Sequence, residues 1–257
     1  MVEPLNEQQW KTSRLLPTLA ENEVHIWRAS LHTERSVLHT LQRLLADDEV
    51  TKARQFYFEK DRQHFIIARG VLRTLLSHYL NVPAHLLSFI YNAYGKPSLG
   101  SPFRESHLHF NLSHSQDIAL YAFTYTRQIG IDVEYMRSDI NYEELASSSF
   151  SAHEQTILST LPQDLTRQAF FNCWTRKEAY IKARGKGISI PLDQFDVSLR
   201  PGEPAMLLAS REVPQELTHW SLQEFLPASS YAGAVAVEGS GWYVNYWQWQ
   251  SANEPQK

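Results

Sequence analysis

The stretch "GIDVE", residues 130–134, places two carboxylates in an otherwise apolar segment that has the pattern of a β-strand. Because strand side chains alternate between the two faces, Asp132 and Glu134 project from the same face, two positions apart. Like charges this close repel each other, and burying them without partners is costly. A bound cation would turn that repulsion into shared coordination, so this segment is the first candidate for a functional site.

The residues before this segment predict one α+β half of the chain. A strand pattern covers 23–31, and a helical stretch covers about 33–58, with a break near Asp47 and Asp48. A further helix is predicted over 61–80, with Asp61 as its N-cap. Three successive strands then follow in "HLHFNLSHS", "DIALYAFTYT" and "QIGIDVEYM".

The second half repeats this order of helices followed by strands. Helices are predicted around 151–160 and over 165–187, the second closed by Gly185 or Gly187. Strands are predicted near 194–199, 218–226, 231–237 and 242–249. The expected fold is therefore α+β, with two similar α/β lobes in one chain and a ligand site at their interface. The expected division is 1–127 for the first lobe, 128–250 for the second lobe and 251–257 for a flexible tail.

Composition limits the classes of protein to which the chain can belong. The 257 residues are 43% hydrophobic and 20% charged, with a net charge of −4. The chain has no Lys/Arg block of the kind that binds nucleic acid or a membrane surface. It also has no apolar run near 18 residues, and its first ten residues lack the pattern of a signal peptide. With a single cysteine, Cys173, we expect a cytoplasmic protein without intrachain disulfides.

The predicted long helix of the second half supplies a third carboxylate. Glu178 and Lys182 are four residues apart on one helix face, a spacing that usually marks a solvent-exposed ion pair. This helix also carries Phe170, Phe171 and Trp174, so a position lining a cleft is an alternative. If Glu178 converged with Asp132 and Glu134, the three would offer the oxygen ligands that Mg²⁺ requires. An exposed strand face remains the other interpretation of "DVE".

The segment "HFNLSHS" also contains chemically active residue types. Ser113 and His114 are neighbours on a predicted strand and point to opposite faces, so a direct nucleophile and base pair is not expected. The histidines of this region lack the spacing of a zinc site. We expect a polar strand end that donates hydrogen bonds to an anionic ligand. The turn "YGKPSL" (94–99) fits either a surface loop or a phosphate contact.

Four motifs together resemble one enzyme family. They are "GKP" (95–97), "FNLSHS" (110–115), "GIDVE" (130–134) and "FFNCWTRKEAYIKARGKG" (170–187). In this order and spacing they resemble the 4′-phosphopantetheinyl transferases of the surfactin-synthetase-activating (Sfp) type. The resemblance implies two lobes related by a pseudo-twofold axis, in a monomer that binds coenzyme A between them. It also implies transfer of the phosphopantetheine arm to a serine of an apo acyl or peptidyl carrier protein, with release of 3′,5′-ADP.

The resemblance also implies roles for individual residues. Asp132, Glu134 and Glu178 would hold Mg²⁺ against the coenzyme A pyrophosphate, with Glu178 as the general base and Asp132 and Lys182 as further catalytic residues. Lys182 would balance the pyrophosphate charge and protonate the leaving 3′,5′-ADP. The remaining contacts implied for coenzyme A are Lys52, Arg69, Lys96, Pro97, Ser113, His114 and Lys177. Arg176, Arg184 and Lys186 would meet an acidic carrier protein.

Two other functions stay open at this point. Acidic pairs with a lysine also suit an Mg²⁺-dependent phosphodiesterase or nuclease, although the chain has no basic surface block. A non-catalytic module that binds carrier proteins is the second alternative. It would not need three carboxylates and Lys182.

Overall fold

The computed structural model describes residues 9–13 and 17–251. The chain contains two successive groups of helices and strands, and each group includes one helix of 22 residues. The strands are β1 (Glu23–Ser30), β2 (Phe89–Tyr91), β3 (Pro97–Leu99), β4 (Leu108–Ser115), β5 (Ile118–Tyr125), β6 (Ile129–Tyr135), β7 (Phe195–Val197), β8 (Leu207–Ser210), β9 (Trp220–Phe225), β10 (Tyr231–Glu238) and β11 (Tyr243–Gln248). The helices are α1 (Arg35–Gln42), α2 (Asp47–Arg54), α3 (Glu59–Leu80), α4 (Tyr142–Ser149), α5 (Ala152–Ser159), α6 (Gln163–Arg184) and α7 (Glu216–His219).

The first lobe is a four-stranded sheet covered by α3. The strand order is β11-β1-β5-β4, with β11 parallel to β1 and the other pairs antiparallel. Buried side chains of α3 such as Val71 and Leu75 belong to the same core as Trp27, Phe110 and Phe123 of the sheet. Burial of this apolar face holds the helix on the sheet.

The second lobe has a three-stranded antiparallel sheet in the order β6-β10-β9, covered by α6. The sheet face beneath α6 is built from small residues, and Ala232, Ala234 and Ala236 of β10 belong to the same core as α6. Small side chains let a helix backbone approach a sheet closely. The long helix is therefore held tightly against the strand that carries "GIDVE".

The two sheets also share a core. Val24, Ile26 and Leu120 of the first sheet cluster with Ile129 and Ile131 of β6. The odd-numbered residues of β6 thus face the other lobe, while Asp132 and Glu134 lie on the opposite face of the strand. Alternation along one strand separates the apolar contact between the lobes from the polar site.

The α+β fold with two lobes is confirmed, and the predicted strands from 107 to 136 match β4, β5 and β6. α3 starts at Glu59, two residues before the predicted N-cap Asp61. The sequence pattern does not predict the short elements β2, β3, α4, β8 and α7. Within the described residues, no helix has both the length and the apolar character needed to cross a membrane.

The last strand departs from the predicted division into lobes. The predicted boundaries place residues 242–249 in the second lobe, but β11 pairs with β1 in the first sheet. β5 occupies only one edge of β1, and β11 covers the other edge, which would otherwise expose unpaired backbone groups. Of the predicted tail, residues 252–257 lie outside the described part of the chain.

Candidate active site

The site is built where β4 of the first lobe lies beside β6 of the second. Side chains of β4 join the two strands by accepting backbone hydrogen bonds. The Asn111 side-chain oxygen accepts from the Ile131 N–H at 2.8 Å, and Ser115 Oγ accepts from the Tyr135 N–H at 3.1 Å. Alternate residues of β4 therefore point at β6, and Ser113, between these two, faces Asp132.

Asp132 is the central residue of this contact and is 2% exposed. Its Oδ1 accepts hydrogen bonds from Ser113 Oγ at 2.8 Å and from Lys182 Nζ at 2.5 Å. Its Oδ2 is buried and has no hydrogen-bond partner among the described residues. A buried carboxylate oxygen without a partner is costly, so this atom is available for a ligand.

Gly130 brings α6 onto β6 and so positions Lys182. A Cβ at this position would lie 2.1 Å from the Ala179 carbonyl oxygen and 2.2 Å from the Ala183 amide nitrogen. Any side chain larger than hydrogen would push the helix away from the strand. The first residue of "GIDVE" therefore sets the distance between the helix that carries Lys182 and the strand that carries Asp132.

The other two carboxylates lie in the electrostatic field of Asp132. Glu134 accepts a hydrogen bond from Ser115 Oγ at 2.8 Å. Burial, together with the charge of Asp132, raises the pKa of Glu134 to about 7. The pKa of Glu178 is raised by burial first and by Asp132 second. The negative charge of Glu178 also contributes to the raised pKa of Glu134, so these groups form one acidic site.

This donor set fits a hard cation such as Mg²⁺ in its chemistry. All three ligand groups are carboxylates, and Asp132 Oδ2 is free to accept. A positive charge would also oppose the effects that raise the pKa of Glu134 and Glu178. Within residues 9–13 and 17–251, however, the three do not form a group whose ligand atoms all lie within 4.8 Å of one another. Direct coordination by all three requires rotation of the glutamate side chains.

Lys96 reaches the same region from the turn before β3. Its ammonium donates to the Ile129 carbonyl oxygen at 3.0 Å and to the Ala183 carbonyl oxygen at 3.1 Å. Burial lowers the pKa of Lys96 to about 8. The lysine thus contacts both β6 and α6 and carries a charge at neutral pH in the space between the lobes.

A cavity of about 430 Å³ opens beside Lys96. Gln128, just before β6, lines this cavity. Asp132 and Glu134 lie further along β6 and are not among its lining residues. Its other lining residues include Lys96, Pro97, Arg104, His107, His109 and Arg184. The predicted contacts Lys96 and Pro97 thus border a space of the size and charge that suit part of an anionic ligand.

The other residues predicted to contact coenzyme A occupy different environments. His114 is exposed on β4, within electrostatic reach of Asp132 and Lys182. Lys52 is exposed on α2, with its ammonium 5.7 Å from the centre of the Phe65 ring. Both side chains are accessible to a ligand.

Arg69 is already engaged by neighbouring side chains. It is buried, with Nε 3.3 Å from Glu49 Oε1, and its guanidinium donates to the Tyr91 hydroxyl. Arg73 pairs with the other oxygen of Glu49 at 2.6 Å. In this arrangement Arg69 ties α3 to α2, and its predicted contact with coenzyme A has no support from its position.

The prediction that Lys177 contacts coenzyme A is also unsupported by its position. The side chain is buried in the second lobe, where its ammonium donates to the carbonyl oxygens of Leu192 at 2.7 Å and Phe195 at 2.6 Å. It also lies 2.8 Å from Glu154 Oε2. Because Lys177 is five residues before Lys182 on α6, the two lysines leave the helix in different directions.

The three basic residues predicted to meet a carrier protein differ in how far they are buried and paired. Arg176 is fully buried and donates to the Ser198 carbonyl oxygen at 2.6 Å and to Glu224. Arg184 pairs with Glu216 at 3.4 Å. Lys186 alone among the three is exposed. Arg176 therefore stabilises the second lobe and does not present charge to a partner.

Sequence reasoning did not assign roles to Asn111, Ser115 or Gly130. Asn111 and Ser115 lie two positions on either side of Ser113, so strand alternation alone places all three on one face. Their pairing with β6 depends on contact between the lobes, which no local pattern encodes. For Gly130, a glycine inside a strand pattern is a signal of close backbone approach.

Two family models match the chain on either side of the boundary between the lobes. The model described as 4′-phosphopantetheinyl transferase, N-terminal, matches residues 26–125, and that of the 4′-phosphopantetheinyl transferase superfamily matches residues 128–236. The chain belongs to this superfamily. It is therefore an enzyme that transfers 4′-phosphopantetheine from coenzyme A to a carrier protein.

Individual relatives agree with this membership. The 4′-phosphopantetheinyl transferase HetI of Nostoc sp. strain PCC 7120 is 44% identical over 232 residues, which are 90% of this chain and 94% of HetI. A putative 4′-phosphopantetheinyl transferase of Synechocystis sp. strain PCC 6803 is 34% identical, over 84% of this chain and 82% of that protein. The transferase Sfp of Bacillus subtilis strain 168 is 32% identical over 60% of this chain and 66% of Sfp. These comparisons support the transferase and not the two alternative functions, a nuclease or a non-catalytic binding module.

Proposed function

We propose that the chain is an Mg²⁺-dependent transferase of the Sfp type, with its reaction centre at Asp132, Glu134, Glu178 and Lys182. The observation that carries the proposal is the environment of Asp132. Oδ1 of Asp132 accepts hydrogen bonds from Lys182 and Ser113, while Oδ2 is buried without a partner among the described residues. The charge of Asp132 also contributes to the raised pKa of Glu134 and of Glu178. We also propose that the protein is active as a monomer in the cytoplasm.

The metal ligands would be Asp132, Glu134 and Glu178. When bound, Mg²⁺ supplies charge neutralisation at the pyrophosphate of coenzyme A. The chain holds these groups on two rigid elements, β6 and α6, whose separation Gly130 fixes. A reaction that depends on positioning and charge neutralisation benefits from such rigidity.

Glu178 serves as the general base in this proposal. Its raised pKa, caused by burial and by Asp132, brings its basicity closer to neutral pH than that of an ordinary glutamate. It takes the proton from the carrier serine, directly or through a water molecule. The serine oxygen then forms the new bond to phosphorus, and the bond to the oxygen of 3′,5′-ADP breaks.

Lys182 assists the departure of the leaving group, 3′,5′-ADP. Its ammonium is anchored by Asp132 and lies 2.9 Å from Ser113 Oγ, which fixes it near the contact between the lobes. It stabilises the negative charge that develops on the bridging oxygen and donates a proton to 3′,5′-ADP. Coenzyme A is contacted by Lys96, Pro97, Ser113 and His114. Of these, Lys96 and Pro97 line the neighbouring cavity.

Separate assays of transfer and of binding test this proposal. Holo-carrier formation is measured for the wild type, Asp132→Asn and Glu178→Gln, and equilibrium binding of the apo carrier is measured for the same proteins. We expect both variants to lose transfer while binding the carrier with unchanged affinity. Transfer at the wild-type rate in either variant would refute the site.

A further inference from the structure

A second set of metal-ligating side chains lies at one end of the first sheet, outside the transferase site. His32 follows β1, His64 lies on α3, and Asp117 lies in the turn between β4 and β5. One ligand atom from each lies within 4.8 Å of the other two. Among residues 9–13 and 17–251, no other three His, Cys, Asp or Glu side chains meet this condition.

The contacts within this cluster leave one imidazole nitrogen unused. His32 Nε2 lies 2.8 Å from Asp117 Oδ1, and the rings of His32 and His64 are 5.5 Å apart between their centres. His64 Nε2 is buried and has no hydrogen-bond partner in the described part of the chain. Burial without a partner is costly for a nitrogen of this kind, and a cation coordinated by it would remove that cost.

The backbone that carries the three residues is well fixed. β1 and β5 pair up to Ser30 and Ile118, and the Leu31 N–H donates to the Asp117 carbonyl oxygen at 2.8 Å. His64 lies in the second turn of α3, a helix of 22 residues. The ligands therefore come from three segments whose relative positions are set by the sheet and by the helix packed on it.

We propose that His32, His64 and Asp117 bind a first-row transition-metal dication, with Zn²⁺ as the representative ion. Two imidazoles and one carboxylate are a common ligand set for such ions, and a water molecule completes the tetrahedron. Bond lengths of about 2.0–2.2 Å place tetrahedral ligand atoms roughly 3.3–3.5 Å apart, so small side-chain rotations close the site. The side chains of His32 and Asp117 are 62% and 48% exposed, which gives the ion access.

The nitrogen ligands distinguish this site from the acidic site at Asp132. Mg²⁺ prefers oxygen ligands and binds weakly to imidazole, whereas Zn²⁺ binds both. An ion at this position would link the end of β1, the turn between β4 and β5, and α3. Because the unfolded chain does not hold these residues together, metal binding would stabilise the first lobe.

Lys60 provides an internal competitor for this ion. Its ammonium lies 3.6 Å from Asp117 Oδ1, and its side chain is 57% exposed. In the absence of metal it offsets the carboxylate charge, and it can turn into solvent when a cation binds. Removal of Lys60 should therefore strengthen metal binding.

The test measures Zn²⁺ binding to the full chain by competition with a chromogenic chelator, after metal removal and in excess Mg²⁺. We expect one Zn²⁺ per chain in the wild type and affinity at least about tenfold lower in His32→Ala and in His64→Ala. Lys60→Met should bind Zn²⁺ more tightly. His85→Ala, which alters an exposed histidine elsewhere in the first lobe, should bind it as the wild type does.

A thermal measurement supplies the second readout. At the same Zn²⁺ concentration, the unfolding temperature of the wild type should rise more than that of His32→Ala, which removes an exposed side chain and leaves the core intact. Co²⁺ bound to the wild type should show the visible absorption of a four-coordinate ion. Absence of Zn²⁺ binding in the wild type, or equal binding by the wild type and His32→Ala, would overturn the proposal.

Discussion

At the scale of single residues, the two oxygens of Asp132 are used unequally. Oδ1 holds Lys182 and Ser113, whereas Oδ2 has no partner among the described residues. A positive side chain and a bound cation would therefore share one carboxylate. Changes to Lys182 should affect metal binding and catalysis in opposite directions.

Lys182→Met tests this sharing. Without the ammonium, Asp132 should bind Mg²⁺ more tightly, because its charge is no longer offset by the lysine. The transfer rate should nevertheless fall by about 10²–10³-fold, the cost of losing one donor at a developing negative charge. Mg²⁺ affinity by titration calorimetry and kcat from holo-carrier formation measure the two effects. Weaker Mg²⁺ binding together with an unchanged kcat would contradict this arrangement.

Glu178→Gln tests the general base. The amide cannot accept the serine proton, so kcat should fall by about 10²–10⁴-fold. Glu143→Gln changes an exposed glutamate on α4 in the same way and serves as the control, with the wild-type rate expected. If both variants showed the same kcat, Glu178 would not be the base.

At the scale of elements, the contact between α6 and β6 determines the geometry of the site. Gly130→Ala places a methyl group within 2.2 Å of the α6 backbone at two atoms, and a helix backbone cannot move aside as a flexible side chain can. We expect a loss of about 3 kcal/mol or more in the free energy of unfolding, together with loss of transfer. Urea unfolding measures the first effect.

Gly95→Ala is the matched control for this glycine. A Cβ at Gly95 meets nothing within 4 Å, but its φ of +83° penalises any side chain. This variant should lose only about 1–2 kcal/mol. Equal losses in the two variants would show that the close approach of α6 to β6 is not the cause.

Lys96 links the turn before β3 to both β6 and α6 and makes stability depend on pH. Its folded-state pKa of about 8 lies below the ordinary value of 10.5. Between these two values the unfolded chain binds more protons than the folded chain, so this group increases stability as pH rises from 8 to 10.5. Below pH 8 both states are protonated, and the cost of burying the charge is present in full.

The difference in unfolding free energy between wild type and Lys96→Met isolates this effect. It should shift in favour of the wild type as pH rises from about 8 to 10.5, as measured by urea unfolding at several pH values. A difference that stays constant over this range would mean that the lysine titrates at its ordinary pKa.

The sequence predicts the elements better than it predicts their contacts. The alternation in "GIDVE" places Asp132 and Glu134 on one face of β6, and the helical spacing places Glu178 and Lys182 on one face of α6. Lys177 and Arg176 show the limit of this reasoning. Their charge suggested exposure or ligand contact, yet carbonyl oxygens and glutamates from distant segments satisfy them in the core.

At the scale of the whole molecule, the two lobes are joined by more than one connection. β4 and β6 share side-chain hydrogen bonds, the two sheets share an apolar core, and β11 returns from the second lobe to the edge of β1. The return of β11 could not be predicted from local pattern, because a strand does not specify in sequence which sheet edge it will join. The chain should therefore unfold as one unit.

Hydrogen exchange followed by mass spectrometry tests this cooperativity. Core amides of β5 in the first lobe and of β10 in the second should exchange with the same free energy of opening and the same response to urea. Two separate free energies would show that the lobes unfold independently. In that case the site would depend on docking of preformed lobes.

The intact mass of an apo carrier protein incubated with this protein, coenzyme A and Mg²⁺ tests both the transfer reaction and the carboxylate site. We expect a gain of one phosphopantetheine, which is lost on chelation, restored by added Mg²⁺ and absent with Glu178→Ala. Modification that persists in the chelator, or with Glu178→Ala, would contradict the carboxylate site. No gain with several carrier proteins, using verified folded enzyme, would contradict the transfer reaction itself.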